Sequence, residues 1–117
     1  MRRVEKPWGY ELIWAETDRY VAKLLFIKQG EALSRQYHRR KDETFFVESG
    51  ELTLEIGDKP SVNVLQLLPG ESYHCTPGTI HRMRGKTDVR VFEVSTPDLD
   101  DVVRLEDSYG REGTEAP

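Results

Sequence analysis

The chain has a single cysteine, Cys75. One thiol cannot close an internal disulfide, and it excludes a cysteine-based zinc site. A buried thiol in a reducing compartment is the expected state. Long apolar runs are missing as well: no stretch reaches 18 residues, so no membrane-spanning helix is expected. The basic start Met1-Arg2-Arg3 has no apolar segment behind it and does not read as a signal peptide. An excess of positive charge is also absent. Lys and Arg number 17 against 21 Asp and Glu, a net charge of −4 with the signs interspersed, which argues against binding a phosphate backbone. Repeats and low-complexity stretches are missing too. From these absences a cytoplasmic protein is expected, with neither nucleic acid nor membrane as a partner.

Turn signals are frequent: Gln29-Gly30, Ser49-Gly50, Gly57-Asp58-Lys59-Pro60, Pro69-Gly70, Pro77-Gly78 and Gly85. Between them lie short runs rich in β-branched and aromatic residues. Tyr20 to Lys28, Thr44 to Glu48, Glu51 to Ile56, Val62 to Leu68 and Val89 to Ser95 read as strands, the third and fourth as a hairpin. In the last, Val89, Val91 and Glu93 share one face. Only Asp98 to Glu106 offers a helix, with Asp98 as N-cap and Val102, Val103 and Leu105 as an apolar patch. With 117 residues and many evenly punctuated strands, the expectation is one all-β barrel or sandwich.

The chemistry-bearing pattern lies between Gly30 and Gly50. Gln36 and His38 are two apart, so on a strand both point to one face. A tight excursion through Arg39, Arg40, Lys41 and Asp42 can return Glu43 to the same interior. Further on, Pro77-Gly78 turns into a segment that starts near His81. Two nitrogens and two oxygens from these four side chains suit Mn, Fe, Co, Ni or Zn and leave coordination positions open.

In their joint spacing the two segments resemble the signature motifs of the cupin superfamily. The likeness implies a double-stranded β-helix (jelly-roll) barrel with one divalent metal ion held by Gln36, His38, Glu43 and His81. Leu33 to Glu43 looks like one branch, the type II mannose-6-phosphate isomerase domain. The flanks extend it: Lys6-Pro7-Trp8-Gly9-Tyr10, Asp18-Arg19-Tyr20, Lys23, Lys28-Gln29-Gly30, His81-Arg82, and Val103-Arg104-Leu105-Glu106-Asp107-Ser108-Tyr109-Gly110-Arg111. Three departures stand out. His38-Arg39-Arg40 replaces a triple histidine, Thr76 replaces a common proline, and Gly85 stands where the superfamily often has asparagine. Many relatives carry this domain behind a nucleotidyltransferase. The chain has no such partner, so nucleotide-sugar synthesis is not expected.

The resemblance implies a sugar-phosphate aldose–ketose isomerase acting on mannose 6-phosphate or a similar small molecule. The cation would stabilise charge as a proton moves between C1 and C2. Arg111, from the closing motif, would contact substrate. Lys23 shares a strand face with Leu25 and Ile27, where a charge is costly unless used, and is the second catalytic candidate. For the phosphate, Lys6, Arg35, Arg39, Arg40 and Arg82 compete. The base is open among a hydroxide on the metal, Tyr10, Tyr73 and Lys23. His74 is left out of the metal set, while Trp8 and Trp14 are expected to pack the barrel end, Trp8 with a possible stacking role on sugar. Alternatives are a dioxygenase using Fe(II) and a non-catalytic sugar-binding module. A homodimer is expected by resemblance, with Val4 to Trp14 adding to a partner's sheet. The cupin domain is placed over 1–111, with 112–117 as a flexible tail.

Overall fold

The computed structural model describes residues 1–111, so the expected tail at 112–117 lies outside the described residues. The strands run in order as β1 (Arg2–Lys6), β2 (Gly9–Glu16), β3 (Val21–Ile27), β4 (Arg35–Tyr37), β5 (Glu43–Ser49) and β6 (Leu52–Ile56). They continue as β7 (Asn63–Leu67), β8 (Ser72–Cys75), β9 (His81–Gly85), β10 (Val89–Ser95) and β11 (Val103–Glu106). They form two antiparallel sheets, ordered β1-β2-β3-β10-β5-β8 and β11-β4-β9-β6-β7. This is the jelly-roll that the resemblance implies, within the barrel-or-sandwich class expected from strand spacing.

Period-two alternation determines what faces inward. On β10, Val89, Val91, Glu93 and Ser95 are buried while Arg90, Phe92 and Val94 are exposed. On β3, Val21, Lys23, Leu25 and Ile27 point in. Register then sorts these residues along the barrel axis. Leu25 lies opposite Val91, and Val91 opposite Val47, forming an apolar row. One step along, Lys23 lies opposite Glu93, and a further step brings Ser95 opposite Glu43. The second sheet repeats the gradient: Met83 pairs with Leu54 deep in the core, and His81 pairs with Gln36 at the other end. One end of the barrel interior is therefore packed hydrocarbon and the other is ionic. Phe45, Val47, Leu52, Leu54, Val91 and Ile27 are fully buried at the hydrocarbon end.

Two glycines allow backbones to approach. At Gly9, φ is +155° and a Cβ would lie 1.9 Å from the carbonyl oxygen of Phe26, so the Lys-Pro-Trp-Gly turn can seat Trp8 only with glycine there. At Gly50, φ is +82° and a Cβ would meet the Asp88 carbonyl at 2.1 Å.

The expected helix over Asp98 to Glu106 is not formed, and among the described residues there is no helix at all, hence none long and apolar enough to cross a membrane. Residues 98–102 are irregular backbone with a turn at 99–100, and Val103–Glu106 is β11, pairing with β4. Asp98 accepts from the Thr96 hydroxyl at 2.8 Å instead of capping a helix. Nine residues with one short apolar patch make a marginal helix in isolation, whereas the β4 edge offers backbone partners, and the non-local pairing wins.

Packing makes a direct test. Leu54 is fully buried between β7 and β9. Leu54→Ala is expected to lower unfolding free energy by about 2–5 kcal/mol in urea titrations. A loss below about 1 kcal/mol would contradict this core assignment.

Candidate metal centre

At the ionic end, β5 brings in Glu43, β9 brings in His81, and the residue after β4 brings in His38. All three are buried, and their ligand-capable atoms lie within 4.8 Å of one another. Glu43 Oε2 is 2.9 Å from His38 Nε2 and 3.3 Å from His81 Nε2. Each imidazole is oriented from behind. His38 Nδ1–H donates to the Asp101 carbonyl at 2.5 Å, and His81 Nδ1–H donates to the Thr79 carbonyl at 2.9 Å. With both Nδ1 atoms so engaged, both Nε2 lone pairs turn toward the carboxylate, the arrangement of metal-binding histidines backed by carbonyls. Despite its close neighbours, Glu43 Oε2 has no hydrogen bond of acceptable geometry. Three acceptors converging in a buried space repel one another unless a cation or proton lies between them. The residues present fit a divalent ion.

Gln36, the fourth expected ligand, is adjacent. Its Nε2 is 3.4 Å from His38 Nε2, and its Oε1 accepts from the Ser34 hydroxyl at 2.6 Å. A half-turn of the amide presents Oε1 to the centre and lets Ser34 accept from the amide nitrogen.

The 38–42 excursion is held by Asp101, which the sequence reading did not single out. Its carboxylate accepts from the backbone N–H groups of Arg39, Arg40 and Lys41 at 3.0, 2.6 and 2.9 Å. Burial pushes this carboxyl up, but the three N–H donors outweigh it and hold its pKa at about 2. Asp101 thus fixes the loop with its side chain and His38 with its main chain.

Behind Glu43 lies a buried charge relay. Lys41 Nζ is 3.3 Å from Glu43 Oε1 and 3.4 Å from Glu93 Oε2. Burial disfavours the ammonium, but the Glu93 and Glu43 carboxylates outweigh it and raise the Lys41 pKa. For Glu43, burial opposes ionisation while Lys41 and the two imidazoles favour it, and the carboxyl lies well below its usual range. For Glu93, burial dominates and the carboxyl is pushed up. His81 is lowered by burial yet raised more by Cys75, 3.4 Å from Nδ1, and by Glu43, reaching about 10 without a metal.

A cavity of about 60 Å³ opens beside this centre, lined in part by Gln36, His38, Lys41, Glu93, Lys23, Arg104 and Arg111. Both expected catalytic residues line it. Lys23 is buried and 3.3 Å from Glu11, while Arg111 forks onto Asp107 at 2.8 and 3.2 Å. Trp8 is 3% exposed and forms part of the same wall, whereas Trp14 is half exposed and does not pack the barrel end.

Of the five phosphate candidates, only Lys6 lines the cavity. Arg35 and Arg82 lie on the opposite side of the second sheet, bound to Glu106 at 3.3 and 3.1 Å, with Arg35 also 2.5 Å from Glu55. Their positions next to the inward-facing Gln36 and His81 require this, because strand neighbours point to opposite faces. Arg39 and Arg40 are exposed outside the cavity. Tyr10 stacks on Phe26 with its ring centroid 5.2 Å away, and Tyr73 packs against the core. Neither lines the cavity, so neither is placed to act as a base. His74 is exposed and 2.7 Å from Asp42, and is not one of the three convergent donors.

Metal uptake is expected to follow the chemistry of His81. Because its metal-free pKa is raised, a metal must displace a proton there at neutral pH. Apparent affinity should climb by up to about tenfold per pH unit until pH approaches about 10, as followed by competition with a coloured chelator. His38→Ala should lose stoichiometric metal after desalting. A pH-independent affinity, or full metal content in the variant, would contradict the site.

Comparison with known proteins fits this geometry. The chain is 35% identical over 116 residues to the xanthan biosynthesis protein XanB of Xanthomonas campestris, covering 94% of this chain and 24% of that protein. It is 38% identical over 117 residues to a mannose-1-phosphate guanylyltransferase of Escherichia coli K12, covering 94% and 23%. It thus spans about a quarter of the length of the curated relatives it matches. Among solved structures, the capsular polysaccharide assembling protein CapF of Staphylococcus aureus superposes with a TM-score of 0.74 at 18% identity, covering 90% of this chain and 34% of that one. KdgF from Halomonas sp. gives 0.69 at 20% identity, covering 83% and 88%. These two share the fold. The Cupin domain family matches residues 23–95, a span that holds the three convergent donors and most of both sheets, and the chain belongs to that family.

Proposed function

We propose that the chain is a metal-dependent sugar-phosphate aldose–ketose isomerase of the mannose-6-phosphate isomerase type. One observation carries this reading: a buried His38–Glu43–His81 donor set meets, through His38, a cavity whose polar wall combines the carboxylates Glu93 and Glu11, the first pushed up by burial, with several cations. Relatives named for mannose-1-phosphate guanylyl transfer and xanthan biosynthesis support a mannose-phosphate context.

The isomerisation moves one proton between C1 and C2 of an opened sugar, leaving the rest of the molecule intact. A divalent ion held by Gln36, His38, Glu43 and His81 would supply Lewis acidity toward the substrate's oxygens. The protein's own groups do the rest. Glu93 lines the cavity with a carboxyl that burial pushes up from the usual carboxylate range, which suits a group that takes a proton and returns it. Lys41 steadies Glu93 and Glu43 together. Lys23 pairs with Glu93 in register and offers a second cation to developing negative charge. Arg111 is preset by its fork on Asp107 to contact substrate at the opening. Leu25, Leu33 and Trp8 supply an apolar wall that restricts water. A homodimer along β1, whose only partner among the described residues is β2, and a cytoplasmic location belong to the same proposal.

Purified protein loaded in turn with Zn, Mn, Co and Ni is expected to interconvert mannose 6-phosphate and fructose 6-phosphate in a coupled assay. Glu93→Gln should lower kcat at least about 100-fold while keeping its metal content, the range expected of a proton-transfer group. Arg111→Ala should depress kcat/KM. Undetectable turnover with every metal would reject the isomerase, and an unimpaired Glu93→Gln enzyme would reject the assignment of Glu93.

A further inference from the structure

An antiparallel sheet with one face on the core ordinarily turns polar side chains to water on the other. The outer face of the β11-β4-β9-β6-β7 sheet follows this rule, with Arg35 2.5 Å from Glu55 and Arg82 3.1 Å from Glu106. The outer face of the β1-β2-β3-β10-β5-β8 sheet does not. Register lines up Leu12, Leu24, Phe92 and Phe46 on four adjacent strands. Tyr10 and Phe26 flank this row on one side, Ala22 and Val94 on the other. Phe92 is 37% exposed, Phe46 42%, Val94 50%, and Trp14 beside them 52%. A contiguous apolar patch of this breadth marks a contact with another molecule.

The charges of this face lie outside the row. Arg3 and Glu5 pair at 2.7 Å on β1, Arg90 and Glu48 are exposed at one end of β10 and β5, and on β8 His74 binds Asp42 at 2.7 Å. Arg3 and Arg90 balance Glu5 and Glu48, so two copies of the face carry no net repulsion. An aromatic, uncharged centre within a charged rim is the anatomy of a protein interface. The middle of the six strands falls between β3 and β10. A twofold axis there, parallel to the strands, lays β10 over β3 of a second copy and β5 over its β2. Phe92 and Phe46 then face Leu24 and Leu12, aromatic against aliphatic, on both sides of the axis. Glu48 comes over Tyr10, on whose ring Arg3 rests 3.8 Å from the centroid, so opposite charges meet at the rim. The four longest strands give about 19 by 23 Å, on the order of 440 Å² of flat area, and β1 and β8 extend it toward the roughly 800 Å² of accessible surface per partner in a stable interface.

We propose that this sheet face packs against the same face of a second copy of the chain about that twofold. None of the residues in the contact lines the metal-side cavity, which stays open in the dimer. The reading above supplies only the second copy; the contact moves from the β1 edge to the face of the sheet.

Sedimentation velocity of the full chain tests the dimer, with turnover left out of the readout so that the isomerase stands or falls separately. The wild type should sediment at twice the chain mass. Phe46→Lys combined with Phe92→Lys should weaken self-association at least about 100-fold, with metal content unchanged because both side chains point away from the interior. Val64→Lys, at an exposed apolar position on the other sheet, should leave the dimer intact. Glu48→Arg should weaken it several-fold, and Arg3→Glu added to it should restore it. Within one copy β1 and β5 are four strands apart, so only contact between copies produces that rescue. A dimer that survives the paired Phe changes overturns this face and leaves the β1 edge as its seat. Equal loss in Val64→Lys, or no rescue by Arg3→Glu, overturns the twofold. A wild type that stays monomeric at about 100 μM overturns the dimer and leaves the face to a different protein.

Discussion

The Glu43 carboxylate, 2% exposed, is the constraint around which the interior is arranged. A carboxylate taken out of water costs several kcal/mol unless charge and hydrogen bonds are returned to it. One oxygen receives Lys41, and the other faces two imidazole nitrogens and has no hydrogen bond of acceptable geometry. Lys41 is in turn shared with Glu93, and Lys23 lies opposite Glu93 on β3 and binds Glu11. A chain of alternating charges thus leads from the convergent nitrogens to the cavity opening. Removing one member would leave a neighbour buried and uncompensated.

This ionic half depends on the apolar half for its position. Phe45, two residues beyond Glu43 on β5, is fully buried, and its ring centroid is 5.8 Å from that of His81. Rigid hydrocarbon packing at that end fixes the strand registers, and register aims Glu43, His81 and Glu93 at one volume. The outer face of the second sheet contributes in the same way. Arg35 and Arg82 clamp Glu106, while Tyr109 donates to Glu31, so the closing segment lies across the sheet and delivers Arg104 and Arg111 inward.

Much of this was legible in the sequence because strands have period two. The Gln36–His38 spacing, the inward Lys23 and the shared face of Val89, Val91 and Glu93 all follow from it, and each side chain points where the alternation places it. The same rule held information left unused. Glu93 on a face with two valines is a buried charge, and Arg35 next to Gln36 must point away from the cavity. What the sequence could not show is non-local. Asp101 matters because three N–H groups sixty or so residues earlier fold onto it. Likewise β11 is a strand because the β4 edge is there to pair with, which no local propensity between Asp98 and Glu106 announces.

Everything proposed for the chemistry requires a cation between His38, Glu43 and His81. Anomalous diffraction from crystals grown with zinc or manganese, recorded on either side of the metal absorption edge, locates that ion directly. The account predicts one strong peak bonded to both Nε2 atoms and to Glu43. A well-ordered His38–Glu43–His81 cluster with no peak there, or a metal bound elsewhere, would contradict it.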